Sequence, residues 1–225
     1  MNTYKIGIVG QKGGVGKSTV SRLLGTEFAR NEWDTLIADM DISQQTVGKW
    51  NLRRKQLGIE PELAVEPFAT VSQAMRRDGK YEAMLFDNAP HATEATKDIA
   101  RISDLVILPV GTSKDDLDPQ IMLALELVDV GKVDPHKIAF VLSRVENRSA
   151  SVQEARDYLG RTRIAFHVFK NVIKESRGYE VALNQGYSLT ETAYPPLNEH
   201  AAAIAQEIFE YFNTLISNTE SATTA

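Results

Sequence analysis

Short apolar runs alternate with longer stretches of helical periodicity along most of the chain. Seven of these runs have the length and apolar content of strands, and several are apolar at every position. Strands that are apolar on both faces are typical of a parallel sheet covered by helices on each side. The predicted strands span residues 4–9, 35–38, 63–68, 84–86, 105–110, 138–142 and 164–169.

The stretches between these strands repeat their apolar positions with the period of a helix. This alternation predicts an α/β fold: a single-domain, doubly wound, mainly parallel sheet of about seven strands with helices on both faces. We expect the domain to span residues 1–216 and the small, polar residues 217–225 to form a disordered tail. The predicted helices span residues 17–31, 44–57, 71–77, 93–102, 116–130, 151–159, 174–185 and 198–216.

Composition narrows the class of protein. The chain has 225 residues, a net charge of −5 and no cysteine. The absence of cysteine excludes thiolate-bound zinc and iron–sulfur sites. No apolar run approaches the roughly 20 residues that span a bilayer, and the beginning of the chain lacks the pattern of a secretory signal. We therefore expect a cytoplasmic protein with no membrane partner.

The charge is unevenly distributed. Residues 137–178 carry nine Lys or Arg and four Asp or Glu, a net charge of +5, which leaves −10 for the rest of the chain. A basic region on an acidic protein favours local contact with a polyanion. Within it, Lys170, Lys174 and Arg177 would share a face if the predicted helix began early enough.

A glycine-rich segment lies between the first predicted strand and the first predicted helix. It reads Gly10-Gln11-Lys12-Gly13-Gly14-Val15-Gly16-Lys17-Ser18-Thr19. Its glycines let backbone N–H groups surround an anion at the start of a helix. Lys17 supplies a cation for the β- and γ-phosphates, and the Ser18 hydroxyl suits a Mg2+ ligand. The segment predicts a P-loop that binds ATP with Mg2+.

Carboxylates follow two of the predicted strands. Asp39 and Asp41 end the second strand, and Asp87 ends the fourth. Strand ends beside a phosphate loop are where metal-binding and water-positioning carboxylates are needed. Asp87 can hold Mg2+ through water and pair with Ser18.

The segment from Lys12 to Thr19 resembles the deviant Walker A loop of the ParA/MinD family of ATPases, whose additional lysine is matched by Lys12. The resemblance extends over residues 5–212. It implies slow hydrolysis of ATP to ADP and phosphate, with Lys12, Lys17 and Asp41 catalytic and Ser18 and Asp87 at the metal. It also implies an ATP-bound sandwich homodimer, in which Lys12 reaches the phosphates of the partner subunit. The implied nucleotide contacts are Lys12, Gly13, Gly14, Val15, Gly16, Lys17, Ser18, Thr19, Asp39 and Asp87.

Two positions depart from the family pattern. Many relatives continue directly with proline and glutamine after the second switch aspartate, whereas this chain reads Ile42-Ser43-Gln44-Gln45 and is about one residue longer. Which glutamine corresponds is left open. Ser143 and Arg144 stand where relatives often have an asparagine that contacts adenine, and a plain surface role is an equal alternative for them.

The short beginning of the chain resembles the small ParA type, which lacks an N-terminal helix-turn-helix domain. This resemblance implies plasmid or chromosome partition, with a separate ParB-like centromere-binding partner that stimulates hydrolysis. It also implies non-specific DNA binding and association with the nucleoid in the ATP state. A solvated surface role remains open for each candidate DNA contact, namely Arg161, Arg163, Lys170, Lys174 and Arg177.

Three other functions remain as alternatives. A MinD-like ATPase would need a basic amphipathic helix at the end of the chain, yet no Lys or Arg follows residue 197. A related ATPase could instead position a cargo other than DNA. A metabolic ligase similar to dethiobiotin synthetase would have no use for Lys12.

Overall fold

Strands that are buried at nearly every position form the centre of the molecule. The computed structural model describes residues 3–90, 94–146 and 149–223, without the side chains of residues 149 and 219–223. In this part of the chain eight strands form one sheet in the order β3-β2-β4-β1-β5-β6-β7, and β8 also pairs with β6. Every pairing is parallel. The strands are β1 (Tyr4–Ile8), β2 (Thr35–Asp39), β3 (Ala64–Pro67), β4 (Ala83–Asp87), β5 (Leu105–Val110), β6 (Ile138–Val145), β7 (His167–Val168) and β8 (Ile173–Lys174).

Helices cover the sheet on both faces and enclose two cores. One core lies beneath α1, α2, α7 and α8 and includes Phe28 and Phe212, and the other lies beneath α3 to α6 and includes Phe86 and Phe140. The predicted α/β fold with a doubly wound parallel sheet is confirmed. The helices are α1 (Lys17–Arg30), α2 (Thr46–Gln56), α3 (Val71–Ala74, continued by a 3-10 turn at Met75–Arg77), α4 (Glu94–Ile102), α5 (Lys114–Asp129), α6 (Ser149–Leu159), α7 (Arg177–Asn184) and α8 (Pro195–Thr223).

The segment before α7 differs from the prediction. Lys174 lies in β8, which pairs with the end of β6, and α7 begins only at Arg177. Ser176 fixes this start because its hydroxyl accepts a hydrogen bond from the backbone N–H of Gly178 at 3.2 Å. The predicted helix start at residue 174 is therefore wrong, and the early start that would place Lys170, Lys174 and Arg177 on one helical face does not occur. A two-residue strand such as β8 is too short to produce a recognisable pattern.

The last helix is longer than predicted. Residues 217–223, expected in a disordered tail, continue α8 as far as Thr223. The hydroxyls of Thr214 and Ser217 donate to the carbonyls four residues earlier, at 2.9 and 3.0 Å. No glycine or proline follows Pro196, so nothing in the chain stops a helix that is already nucleated. None of the helices in the described residues has the length and apolar character needed to cross a membrane.

Candidate nucleotide-binding site

The glycine-rich loop lies where the carboxyl ends of β1, β4 and β5 meet, which we call the carboxyl edge of the sheet. Gly14 and Gly16 have φ angles of +76° and +104°, a region that other residues rarely adopt. A β-carbon on Gly16 would also lie 2.4 Å from Oγ of Ser143 on β6. This turn therefore requires glycine for both its backbone conformation and its packing.

Lys17 begins α1 and places a cation inside the loop. The residue is only 6% exposed, and its ammonium donates to the carbonyl of Lys12 at 2.8 Å. Burial lowers the pKa of Lys17, while the nearby charges of Asp87 and Asp41 act in the opposite direction. A partly desolvated cation enclosed by a loop of glycines is suited to binding phosphate oxygens.

Asp87 ends β4 and faces the first two turns of α1. Its carboxylate accepts hydrogen bonds from the hydroxyls of Ser18 at 2.7 Å and Ser21 at 2.9 Å. Burial raises the pKa of Asp87 to about 6, although both hydroxyls act to lower it. A hydroxyl and a carboxylate at this distance are the oxygen ligands that Mg2+ takes in phosphate sites, directly or through water.

Asp39 and Asp41 follow β2 and differ in exposure. Asp39 is buried, and its carboxylate accepts from the backbone N–H groups of Asp41 at 3.1 Å and Gly48 at 3.0 Å. Burial raises the pKa of Asp39. Asp41 is half-buried and accepts from Ser43 Oγ at 2.7 Å and the Gln44 N–H at 3.0 Å. The Asp39 carboxylate thus links the end of β2 to the start of α2. The side chain of Asp41 lines a cavity beside the glycine-rich loop.

The inserted residues after Asp41 place the two glutamines differently. Gln44 lines the cavity beside Asp41. Gln45 precedes α2 in a left-handed conformation with φ +47° and does not cap the helix with its side chain. Of the two glutamines that the sequence left open, Gln44 is therefore the one placed to act in the cavity.

Lys12 lies at the opposite side of the loop, near the first turn of α5. Its ammonium donates to the carbonyl of Asp115 and pairs with the carboxylate of Asp116 at 3.2 Å. The Lys12 and Asp116 side chains are 40% and 33% exposed, respectively. Such a pair is weak because solvent screens it.

A cavity of about 830 Å3, which we call the nucleotide cavity, is lined by the glycine-rich loop, Asp41 and Asp87. The residues around it fit a Mg2+-bound nucleoside triphosphate, since Ser18 and Asp87 offer oxygen ligands and Lys17 with the loop offers cationic and N–H donors. The described residues contain no cluster of three or more His, Asp or Glu side chains suited to a metal. The lining residues include Gly13, Gly14, Gly16, Lys17, Ser18, Thr19, Arg22, Asp41, Gln44, Thr46, Asp87, Asn88 and Arg144.

A family model described as the CobQ/CobB/MinD/ParA nucleotide binding domain matches residues 6–188. The chain belongs to this family. Curated proteins provide no match.

Solved structures of this family share the fold at low sequence identity. A MinD from Pyrococcus horikoshii complexed with Mg-ADP has a TM-score of 0.66 and 18% identity, covering 92% of this chain and 96% of its own. A candidate plasmid partition protein from Borrelia burgdorferi bound to AMPPNP has a TM-score of 0.65 and 18% identity, covering 91% and 98%. The ParA of pNOB8 bound to nonspecific DNA has a TM-score of 0.62 and 14% identity, covering 94% and 99%.

Ser143 and Arg144, the candidate adenine contacts of this CobQ/CobB/MinD/ParA domain, have different surroundings. Ser143 is buried behind Gly16, and its Oγ has no hydrogen-bond partner among the described residues. Arg144 is exposed, has a φ of +55° and donates to the carbonyl of Gly14 at 3.2 Å. Arg144 borders the nucleotide cavity and an adjoining cavity of about 410 Å3. Of the two, Arg144 is better placed to contact a base.

The five candidate DNA contacts are exposed but do not form one patch. Arg163 pairs with Asp129 at the end of α5 and precedes β7, so it lies near the amino edge of the sheet. Lys174 pairs with the last residue of β6, and Arg177 borders the nucleotide cavity, both at the carboxyl edge. The length of β6, about 25 Å, separates the two groups. The candidate DNA contacts Arg161, Arg163, Lys170, Lys174 and Arg177 are therefore divided between the two edges.

Two residues of α1 that belong to the site or contact its side chains are absent from the sequence-based prediction. Ser21 contacts Asp87, and Arg22 lines the cavity beside Thr46. Helical spacing could have found both, because residues 21 and 22 lie four positions after Lys17 and Ser18. Asp116, the partner of Lys12, had no such signal because 104 positions separate the two.

Proposed function

We propose that this protein is a DNA partition ATPase of the ParA type, which binds ATP with Mg2+ and hydrolyses it slowly to ADP and phosphate. The observation that carries the ATP-dependent, two-subunit part of this proposal is the pair of lysines in one loop. Lys17 is buried within the loop, whereas Lys12 is half-exposed at its rim and held by a weak ion pair. A P-loop that only binds its own nucleotide has no need of the second lysine.

The residues of the cavity divide the chemistry of hydrolysis between them. Lys17 and the loop N–H groups bind and orient the phosphates, and Ser18 and Asp87 would hold Mg2+. When bound, Mg2+ neutralises charge that develops on the phosphate oxygens. Asp41 lies on the cavity surface, where its carboxylate would orient the attacking water, while Asp39 fixes the backbone that carries it.

The exposed lysine supports an ATP-dependent homodimer. In this proposal Lys12 leaves Asp116 and contacts the phosphates bound by the second subunit. Breaking an exposed pair costs only about 0–1 kcal/mol. A charge contact that excludes water at a subunit interface can repay that cost.

DNA binding is proposed on the basic residues at the carboxyl edge. Lys174 and Arg177 are exposed beside the nucleotide cavity, and Lys170 precedes them in an exposed position. The solved complex of pNOB8 ParA with nonspecific DNA supports DNA binding within this fold. We propose that the ATP-bound dimer associates with the nucleoid in the cytoplasm, and that a separate ParB-like centromere-binding protein stimulates hydrolysis.

The test measures DNA retardation and ATP hydrolysis by the purified protein. With ATP and Mg2+ we expect retardation of non-specific DNA that weakens steeply between 50 and 200 mM salt, by about tenfold or more. With ADP, retardation is expected to be at least about tenfold weaker because the dimer is absent. DNA binding that ignores the nucleotide, or ATP binding without any DNA affinity, would contradict partition and favour positioning of another cargo.

A further inference from the structure

Arg22 is a buried cation on the wall of the nucleotide cavity. It lies one helical turn after Ser18, so its side chain follows the same face of α1. The residue is only 7% exposed. Burying a guanidinium is costly unless its donors and charge are satisfied, so its contacts indicate what it does.

One contact joins Arg22 to the segment that follows the switch aspartates. Its Nη2 donates to the carbonyl of Thr46, the first residue of α2, at 2.8 Å. The same helix start is bound to Asp39 through the N–H of Gly48 at 3.0 Å. Two side chains, one from α1 and one from β2, therefore fix the start of α2.

The second observation is a donor without an acceptor. Within the described part of the chain, Nε of Arg22 is buried and has no hydrogen-bond partner. An unsatisfied buried donor costs about 1–3 kcal/mol, more for a charged group. Arg22 also lines the cavity, so a small shift of its side chain would bring the guanidinium to an anionic or water oxygen of the ligand that fills it.

The surrounding charges favour this arrangement. Asp87 and Asp39 both stabilise the charged guanidinium, while burial and the nearby Arg53 lower the pKa of Arg22 to about 10. Arg22 is therefore a cation at neutral pH, within the electrostatic influence of Asp87 and Asp39.

An aromatic ring continues the path from Arg22 into α2. The guanidinium lies 5.6 Å from the ring centre of Trp50, and that of Arg54 lies 5.7 Å from the same ring. Trp50 donates from Nε1 to the carbonyl of Tyr187 at 3.0 Å, and Arg54 forms a two-pronged pair with Glu191 at 2.6 and 2.9 Å. A shift of Arg22 would therefore change the environment of the buried Trp50.

We propose that Arg22 is a positioning residue that couples the triphosphate and Mg2+ site to α2, binding Thr46 on one side and a ligand oxygen on the other. This inference rests on the proposed binding of a Mg2+-bound nucleoside triphosphate. It adds a specific consequence: filling the cavity changes the environment of Trp50, and this change depends on Arg22.

The test uses Trp50 as the reporter. The chain has two tryptophans, so Trp33→Phe leaves Trp50 alone, and Trp33 lies in a separate aromatic cluster with Phe28 and Phe209. Emission is followed while ATPγS is added with Mg2+, and nucleotide binding is measured independently by equilibrium dialysis. Arg22→Gln is compared with Lys49→Gln, which removes an exposed charge next to Trp50 on α2.

We expect a saturable change in Trp50 emission in the parent and in the Lys49→Gln control. In Arg22→Gln the change at saturation should fall at least about fivefold, while dialysis still detects nucleotide with a Kd within about tenfold of the parent. An unchanged emission response in Arg22→Gln would overturn the proposal, as would a parent that binds nucleotide without any response.

A second variant keeps the test decisive if Arg22→Gln does not fold. Arg22→Lys retains the charge but offers one compact ammonium in place of the guanidinium fork. It therefore cannot bind the Thr46 carbonyl and a ligand oxygen equally well. Its response should be at least about twofold smaller than that of the parent, and an equal response would overturn the proposal. Failure of the parent to bind ATPγS in dialysis would instead refute the nucleotide site itself, and the two failures are distinguishable.

Discussion

The phosphate loop and the basic segment at 137–178 both carry functional charges, but they hold them in opposite ways. In the loop region Lys17 is 6% exposed and Asp87 is 2% exposed, and the charge of Asp87 acts on Lys17. In the basic segment the five candidate DNA contacts are exposed and spread between two edges of the sheet. The position of a buried charged side chain is fixed by the protein groups around it, whereas the position of an exposed one is fixed only when an outside partner binds.

Lys12 belongs to the loop by sequence but resembles the basic segment in its exposure. Replacing Lys12 with Ala is expected to weaken ATP-dependent dimerisation at least about 30-fold, because losing one partner of a desolvated charge pair costs about 2 kcal/mol or more. Binding of nucleotide by the monomer should change only a few-fold. Sedimentation velocity with ATPγS and Mg2+ measures the dimer, and dialysis measures the nucleotide.

Lys80→Ala is the matched control for that experiment, since it removes an exposed lysine remote from the cavity lining. A sedimentation profile of Lys12→Ala that equals the profile of Lys80→Ala would refute the sandwich dimer.

The pH dependence of stability at Asp87 provides a test of the buried charges. Because the folded-state pKa of Asp87 is raised from 3.8 to about 6, the native state holds its proton more tightly than the unfolded chain. This contribution to stability is present below pH 3.8 and is lost as pH rises through about 6. Asp87→Asn removes the titration, so the variant should gain about 2 kcal/mol in free energy of unfolding relative to the parent between pH 4.5 and 7.5.

Denaturant unfolding in EDTA, at several pH values, gives that difference directly. Asp41→Asn is the matched control, because Asp41 is half-buried and lies on the cavity surface. A free-energy difference between Asp87→Asn and the parent that does not vary with pH would show that Asp87 does not titrate in this range.

Much of the loop region was predictable because its chemistry is local in the sequence. Lys17 and Ser18 follow a strand and begin a helix, so their positions in the loop are determined by a few backbone turns. Asp87 lies 69 positions away, yet parallel strands must bring their carboxyl ends to one edge, and the structure places it beside Ser18 as expected.

The features that the sequence did not reveal depend on packing between distant segments. Arg22 reads as an ordinary polar residue of α1 until the structure places Thr46 and Trp50 around it. The strand at Lys174 exists only because β6 offers an edge to pair with. Exposed charges are the least predictable, since neither core packing nor a backbone turn decides where they gather.

The divided basic residues yield a prediction about salt dependence. Lys170→Ala with Lys174→Ala should lower the slope of log affinity for DNA against log salt by about 2, since each phosphate contact contributes about 1. Arg161→Ala with Arg163→Ala, at the other edge of the sheet, should leave the slope unchanged. Fluorescence anisotropy with a labelled non-specific duplex measures both, in the presence of ATPγS.

Basal ATP hydrolysis should be the same in both double variants, because neither pair contacts the loop. Should the Arg161 and Arg163 variant lose the larger part of the salt slope, DNA would bind at the amino edge, away from the nucleotide cavity. The cations at the carboxyl edge would then not be the DNA-binding part of the basic segment.

The smallest expected effect concerns the ion pair between Lys12 and Asp116. Replacing Asp116 with Asn removes the carboxylate that holds Lys12 at 3.2 Å, which should favour its transfer to a partner subunit. Because the pair is exposed and worth at most about 1 kcal/mol, dimer affinity should rise by no more than about fivefold. The gain should also disappear in about 0.5 M salt, where the pair is already screened.

Asp115→Asn is the natural control, because Lys12 contacts the backbone carbonyl of Asp115 and not its carboxylate. The two variants have the same change in net charge and differ by one position in α5. Equal dimer affinities in Asp116→Asn and Asp115→Asn at low salt would mean that the ion pair does not restrain Lys12. A gain confined to Asp116→Asn would mean that the exposed lysine is held back in the monomer by an ion pair within its own chain.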